Sequence, residues 1–380
     1  MNPEIYLDAH ASTAVDPLVL EAMLPYFTQY YGNGQHRNGW KAAKALEAAR
    51  MDVANTLGAY PQEVYFTSGA TEAINTGVIG LTQLFPDKRH IVTQVTEHPA
   101  VLETLRHLEL KGYAVTYLPV NGLGHIDLDQ LASVITAQTL LVVIMLANNE
   151  IGTIHPIEAI GKVCREKETL FFCDTTQGIG WHPIDVHAMN IDLACISAHK
   201  IYGPRGIGSL YSRLELPPLL FGGRQERGVR SGTVNLPGAV GLGKACALIQ
   251  EKGAQTTAHV LTLRNRLWGK LREEVHGVQL NGDPDHRHPA NLNVRIPGIP
   301  NEWLMGQLPH ILLSSSSACS GSTKISHVLQ AIGLSSEESQ ECLRMGVTRT
   351  NTEEEVDEVA AQITDVMRRR RPQKAAGRAA

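Results

Sequence analysis

The sequence predicts an α/β protein built on a mostly parallel sheet covered on both faces, with a second, smaller domain. Three observations point there. From residue 16 to about 240, short apolar runs alternate with helical patterns. The runs are nearly continuous in Val, Ile and Leu, as expected of strands buried on both faces. At 380 residues the chain also exceeds what one hydrophobic core usually serves.

The elements follow in order. Asp16-Pro17 predicts a helix start, with an acid at the N-cap and proline at the first helical position. Residues 64–66 read as a strand followed by a helix from about Ala70, and 90–95 as a strand followed by a helix from about Pro99. A strand at 115–118 precedes a helix at 128–136, and one at 140–146 precedes a helix at 156–167. Strands at 170–173 and 191–196 complete the set. In such sheets ligands bind beyond the carboxyl ends of the strands, where these loops carry their polar residues. A long helical pattern at 236–276 leads into the second domain, with a strand at 292–296, helices near 302–308 and 323–332, and a final helix from Thr352. There is no internal repeat.

Composition narrows the function class. Hydrophobic residues make up 43% and charged residues 19%, which excludes extensive disorder. A net charge of −4 and a pI near 6.5 give no general attraction to nucleic acid or an anionic membrane. No apolar stretch reaches the ~20 residues of a spanning helix. Residues 1–4 carry neither a basic region nor an apolar one, so no secretory signal is expected and the location is read as cytoplasmic. The six cysteines, at 164, 173, 195, 246, 319 and 342, are scattered and form no metal-ligand pairs. They are read as reduced thiols. From Arg368 to Arg378 the tail is basic without one acid and is expected to be disordered.

The chemistry begins at Lys200, in Ser197-Ala198-His199-Lys200, directly after the run 191–196. Asp174 ends the run 170–173. A lysine and an aspartate leaving neighbouring strands toward one crevice suit pyridoxal phosphate. The lysine holds the cofactor as a Schiff base, and the carboxylate pairs with the pyridinium nitrogen. Alone, the pair would be a solvated loop lysine and a strand-end acid, so other groups must converge on it. Thr67-Ser68-Gly69-Ala70-Thr71-Glu72 lies between a strand and a helix, where glycine and the free N–H groups of a helix start suit a phosphate. Ser197 and His199 can donate to the same phosphate. His98, in Thr96-Glu97-His98-Pro99, can stack on a ring and shuttle protons near neutral pH. Asn148 and Asn149 end an apolar strand, and Gln177 lies three residues past Asp174. Cys319 sits in the serine-rich stretch 314–322, placed as a mobile nucleophile, whereas the other cysteines lie in apolar or helical surroundings. Arg344 can clamp a carboxylate bidentately.

With these motifs in hand the chain resembles the cysteine desulfurases of the nitrogenase/iron–sulfur type, in the class V aminotransferase branch of fold type I pyridoxal-phosphate enzymes. The similarity runs from Tyr6-Leu7-Asp8 to about Glu355. It takes in the motifs at 66–72, 96–98, 148–152, 174–177, 197–204, 226–233 and 317–319. It implies a large cofactor domain at 16–248 with a mostly parallel seven-stranded sheet. It also implies a smaller α+β domain, formed by 1–15 and 249–367, which carries the catalytic cysteine, with 368–380 as the tail. Lys200 would be the Schiff-base lysine, Asp174 the partner of the ring nitrogen, and His98 the stacking group. Gln177 would contact the phenolate oxygen, with Asn149 near it and near the substrate carboxylate. Ala70, Thr71, Ser197 and His199 would hold the phosphate, joined by Thr233 from the partner subunit of a homodimer. Arg344 would anchor the carboxylate, and Cys319 would accept sulfur from L-cysteine, becoming a persulfide that serves an acceptor protein. Iron–sulfur assembly, tRNA thiolation and DNA phosphorothioation are all open to such an acceptor. The sequence departs from the family at 32–38 and after Cys319, where it is shorter, and in ending on an arginine-rich tail. The competing readings are a selenocysteine lyase, a class V aminotransferase and a non-catalytic subunit of a sulfur-transfer complex.

Overall fold

The computed structural model describes residues 4–32, 36–315 and 325–376. Its strands are β1 (Ile5–Tyr6), β2 (Val64–Thr67), β3 (His90–Gln94), β4 (Ala114–Leu118), β5 (Thr139–Met145), β6 (Leu170–Asp174), β7 (Leu193–Ser197), β8 (Gly208–Ser212), β9 (Gln279–Leu280), β10 (Asn291–Arg295), β11 (Ile311–Leu312), β12 (Ser314–Ser315) and β13 (Cys342–Gly346). The helices are α1 (Pro17–Met23), α2 (Pro25–Thr28), α3 (Arg37–Leu57), α4 (Ala70–Leu84), α5 (Pro99–Glu109), α6 (Leu128–Val134), α7 (Ile157–Glu166), α8 (Leu236–Glu274), α9 (Asn301–Gly306), α10 (His327–Ala331), α11 (Ser336–Ser339) and α12 (Glu353–Ala376).

The central sheet has seven strands in the order β2-β8-β7-β6-β5-β3-β4, all running one way except β8, which is antiparallel to both neighbours. Every residue of β5 is buried. Val142 and Ile144 enter one hydrophobic cluster with Phe171 and Ile196. Leu141 and Val143 enter another with Phe172 and Leu193. That period-two split puts one cluster on each face of the sheet, which is why its strands read as continuous apolar runs. A third cluster joins Leu7, Leu267, Leu292, Met345 and Val359 around the antiparallel sheet β12-β13-β10-β9.

The Asp16 side chain caps α1 at 2.7 Å from the Leu18 N–H, with Pro17 at the first position, as expected. Two features differ from the sequence reading. Strand β8 is absent from it, because Gly208-Ser-Leu-Tyr-Ser212 carries no apolar run and is made a strand by its two neighbours. The basic tail was expected to be disordered from residue 368, whereas α12 continues to Ala376. Partners explain its first turn: Arg368 pairs with Glu274, and the Arg370 guanidinium lies 4.3 Å from the Trp303 ring centre.

The chain between β1 and α1 crosses from the small sheet to the large one. Asp8 bridges to Gly346 of β13, and five residues later Thr13 N–H donates to the His199 carbonyl at 2.9 Å. This arm positions the site.

Candidate active site

Strands β6 and β7 are paired so that Asp174 lies opposite Cys195, and β5 puts Met145 on the other side of Asp174. Strand β7 ends at Ser197 and turns through one 3-10 turn, Ala198–Lys200. Both chain ends therefore open on the same edge, as the rule for carboxyl ends of parallel strands requires. The cavity there measures about 420 Å³. Its walls include Ala70, Thr71, His98, Asn149, Asp174, Gln177, Ser197, His199 and Lys200. Residues more than a hundred positions apart thus meet in one place.

Asp174 is 6% exposed. Its Oδ1 accepts from the Thr176 N–H at 3.0 Å and from the Cys195 thiol at 3.2 Å. Burial, followed by the charge of Asp174, pushes the Cys195 thiol well up, so it stays a donor. With Oδ1 doubly held, Oδ2 is the oxygen left for the cavity. Lys200 Nζ donates to the carbonyl of Ala11 at 2.9 Å and to that of His10. His98 caps α5: its Nδ1 accepts from the Ala100 N–H at 3.1 Å, which places the proton of the neutral ring on Nε2. Burial lowers the His98 pKa, against the pull of Asp174 and helped by Lys200 and His327, so the ring is neutral at physiological pH. His199 is pushed down to about 4 by burial and by Lys200 and Arg205, and its Nδ1 lies 3.2 Å from Ser12 Oγ.

The other wall is a helix start. Gly69 has φ +155°, helix α4 begins at Ala70, and Gly69, Ala70, Thr71 and Glu72 line the cavity, where the first N–H groups of a helix have no partner within it. A Cβ on neighbouring Gly208 would lie 2.7 Å from the Gly69 Cα, so only glycine lets strand β8 pass this close to the turn before α4. Glu72 closes the turn: it accepts from the Ser68 N–H at 2.8 Å and from Arg230 Nε at 2.8 Å. Burial raises its carboxyl, but these bonds outweigh burial and hold it below the usual range.

Three expected residues stand apart. Arg344, 1% exposed in β13, is not among the lining residues and reaches the wall through Nη1, 3.3 Å from the Asn149 carbonyl. Thr233 is exposed and away from this cavity. Cys319 lies outside the described residues. Its flanks are fixed near the site: β12 pairs Ser314 with Arg344, Ser326 Oγ donates to the buried Glu150, and His327 Nε2 donates to the Glu97 carbonyl at 3.0 Å.

Sequence reasoning missed the arm itself. Ala11 lines the cavity, Ser12 Oγ accepts from Arg205 Nε at 3.3 Å, and Arg205 and Thr176 are further wall residues. Arg205 was legible as the residue following the glycine-proline after Lys200. The arm was not, because it receives Lys200 on carbonyls, which no side-chain pattern reveals, and its side chains His10, Ser12 and Thr13 meet partners far away in sequence. Among the described residues no group of three or more metal-ligating side chains is placed to hold a metal, and no helix is long and apolar enough to cross a membrane.

The profile of the family described as Aminotransferase class-V matches residues 5–359. A curated relative, cysteine desulfurase IscS of Rickettsia rickettsii (strain Iowa), is 46% identical over 362 residues, covering 93% of this chain and 88% of the relative. A solved structure titled NifS-like protein superposes with a TM-score of 0.90 at 38% identity, covering 96% of this chain and 99% of that one. Another, titled SspA in complex with cysteine, gives 0.80 at 36% identity, covering 92% and 100%.

Proposed function

The chain belongs to the aminotransferase class-V family, among its cysteine desulfurases, and from that premise we propose that it converts L-cysteine to L-alanine, holds the sulfur on Cys319 as a persulfide and passes it to an acceptor protein. The observation that carries this reading is the meeting of Lys200, Asp174 and His98 in one cavity beside a helix start.

The residues fit pyridoxal 5'-phosphate. Asp174 keeps one carboxylate oxygen for a ring nitrogen, and His98 is a neutral aromatic face. Ala70, Thr71, Ser197 and His199 surround a place suited to a phosphate, and Lys200 has an amine for the aldehyde. When bound, the cofactor supplies an electron sink that makes the substrate's α-proton removable.

The chain's own groups do the rest. Lys200 moves the proton at the substrate's α-carbon, and the His10 and Ala11 carbonyls keep its Nζ at that edge of the cavity. His98, proton on Nε2 and neutral at pH 7, serves as a stacking face and proton relay. Gln177 and Asn149 orient oxygens on the cofactor and substrate, and Arg344 anchors the carboxylate. The Cys319 thiolate attacks the substrate sulfur: an S–S bond forms, the C–S bond breaks, and its electron pair stays with the three-carbon skeleton, which takes up protons to become alanine.

A homodimer completes the site, with Thr233 reaching the phosphate of the partner subunit. Exposed Leu24, Phe27, Tyr31 and Trp40 near α1, α2 and α3 supply apolar surface for it. The reading places the enzyme in the cytoplasm. The acceptor, in iron–sulfur assembly, tRNA thiolation or DNA phosphorothioation, decides the pathway.

The test is to incubate the protein and its Cys319→Ser variant with L-cysteine and measure alanine and intact mass. Alanine with a gain of about 32 Da, one covalently held sulfur, both lost in the variant, is the expected result. Sulfur transfer persisting in Cys319→Ser would assign the carrier to another thiol.

A further inference from the structure

We propose that Asp8 is a positioning residue that holds Arg344 in the orientation that receives an amino acid's α-carboxylate, and thereby sets the preference for a carboxylate over a neutral head group. The inference rests on the reading of Arg344 as carboxylate anchor.

Arg344 is buried in the middle of β13, opposite Asn293 of β10 and Ser314 of β12, so neither neighbouring strand places a carboxylate across from it. Its ion pair among the described residues is with Asp8, Nη2 to Oδ1 at 2.9 Å. Nη1 donates to the Asn149 carbonyl at 3.3 Å, and Nε is buried with no partner among the described residues. Asp8 thus engages the guanidinium at a single nitrogen through a single oxygen. The fork is steered but not filled, and a buried N–H is left that a ligand oxygen would satisfy.

The backbone of Asp8 ties this anchor to Lys200. Its carbonyl accepts the N–H groups of Ala11 at 3.0 Å and Ser12 at 3.3 Å, and Tyr6 Oη braces the same turn from outside by donating to the carbonyls of Asp8 and Ser12. The carbonyls of His10 and Ala11, within the turn, receive Lys200 Nζ. One short turn therefore touches both the lysine that works at a substrate's α-carbon and the arginine that meets its carboxylate. In an α-amino acid the carboxylate is bonded to that carbon, so the spacing of the two side chains must be fixed, and the turn fixes it. An amide or ester head group would leave the guanidinium's spare donors half used.

The test uses the cofactor-loaded enzyme and two probes without sulfur, L-alanine and L-alaninamide, with affinities read by calorimetry. The wild type is expected to favour L-alanine by about tenfold or more, the scale of one charge-assisted contact. Asp8→Asn, equal in size, should cut that ratio at least about fivefold through weaker L-alanine binding. Cofactor content should hold, the melting temperature should fall because the Arg344 charge stays buried without its ion-pair partner, and with L-cysteine KM should rise while kcat stays within about twofold. An unchanged ratio, or tighter L-alanine binding, would overturn the proposal, making Asp8 a spectator or a competitor. Arg344→Ala is run alongside. If it keeps the carboxylate preference, the reading of Arg344 itself fails, an outcome distinct from a failure seen only in Asp8→Asn.

Discussion

His10 holds Gln177 by both ends of its amide: ring Nδ1 lies 3.0 Å from Oε1, and the His10 carbonyl accepts from Nε2 at 3.0 Å. Burial, reinforced by Arg344, pushes the His10 pKa down to about 3, so the ring is neutral and Nδ1 is the donor. The amide is thereby locked with its oxygen toward His10 and its second N–H available to the cavity. Replacing His10 with alanine keeps that carbonyl but removes the ring N–H that holds Oε1, so the amide is loosened and its second N–H is no longer fixed toward a cofactor oxygen. Cofactor affinity, measured by fluorescence on the apo protein, is expected to fall about fivefold, near the net worth of one hydrogen bond. His10→Asn, which keeps a donor at nearly the same place, should recover most of it. Equal affinities in all three proteins would show that the clamp is not used.

Lys200→Ala should abolish turnover, by a factor on the order of 10³ or more as for other covalent-catalysis residues. After borohydride treatment, intact mass should show no retained cofactor. Near-native alanine production by this variant would refute the role given to Lys200.

Glu97 and Glu150 make stability depend on pH. Burial drives Glu97 up to about 8 and Glu150 up to about 7, although each carboxyl accepts hydrogen bonds that pull the other way. Their folded values lie above the unfolded carboxylate value of about 4.3. Their contribution is therefore complete below that value and is lost as pH rises through the folded ones. Buried His10 and His155, each pushed down to about 3, act oppositely and remove stability as pH falls below about 6.5. The urea midpoint should decline from pH 6.5 to 8, and Glu97→Gln should flatten the part above pH 7. The same slope in the variant would remove Glu97 as the cause.

The buried pair Arg50–Glu226 ties α3 to the segment after the central sheet, with Nη1–Oε2 at 2.7 Å and Nη2–Oε1 at 2.9 Å. Glu226 Oε2 also accepts from the Phe66 N–H at 2.7 Å. Glu226→Gln leaves the Arg50 charge buried and should cost about 3–5 kcal/mol, read from urea unfolding. Arg50→Met with Glu226→Leu should recover most of that loss, because the desolvation of both charges disappears together.

The sequence by itself determined the alternation of strand and helix, the apolar runs of the large sheet, and the set Lys200, Asp174, His98, Gln177 and Asn149. These are local facts: a strand buried on both faces must be apolar, and a polar group directly after it must leave the sheet at its carboxyl end. Tertiary structure decided what no local pattern contains. Strand β8 exists because β2 and β7 pair with it on both sides. Arg344, read as a clamp, lies buried in β13 and pairs with Asp8 from 336 positions away. The arm from Asp8 to Thr13 receives Lys200 and one end of Gln177 on backbone carbonyls, which every residue type carries, and holds His199 through the Thr13 N–H and the Thr13 and Ser12 hydroxyls. Side-chain chemistry is written in the sequence; which backbone groups will stand beside it is settled only when distant segments pack.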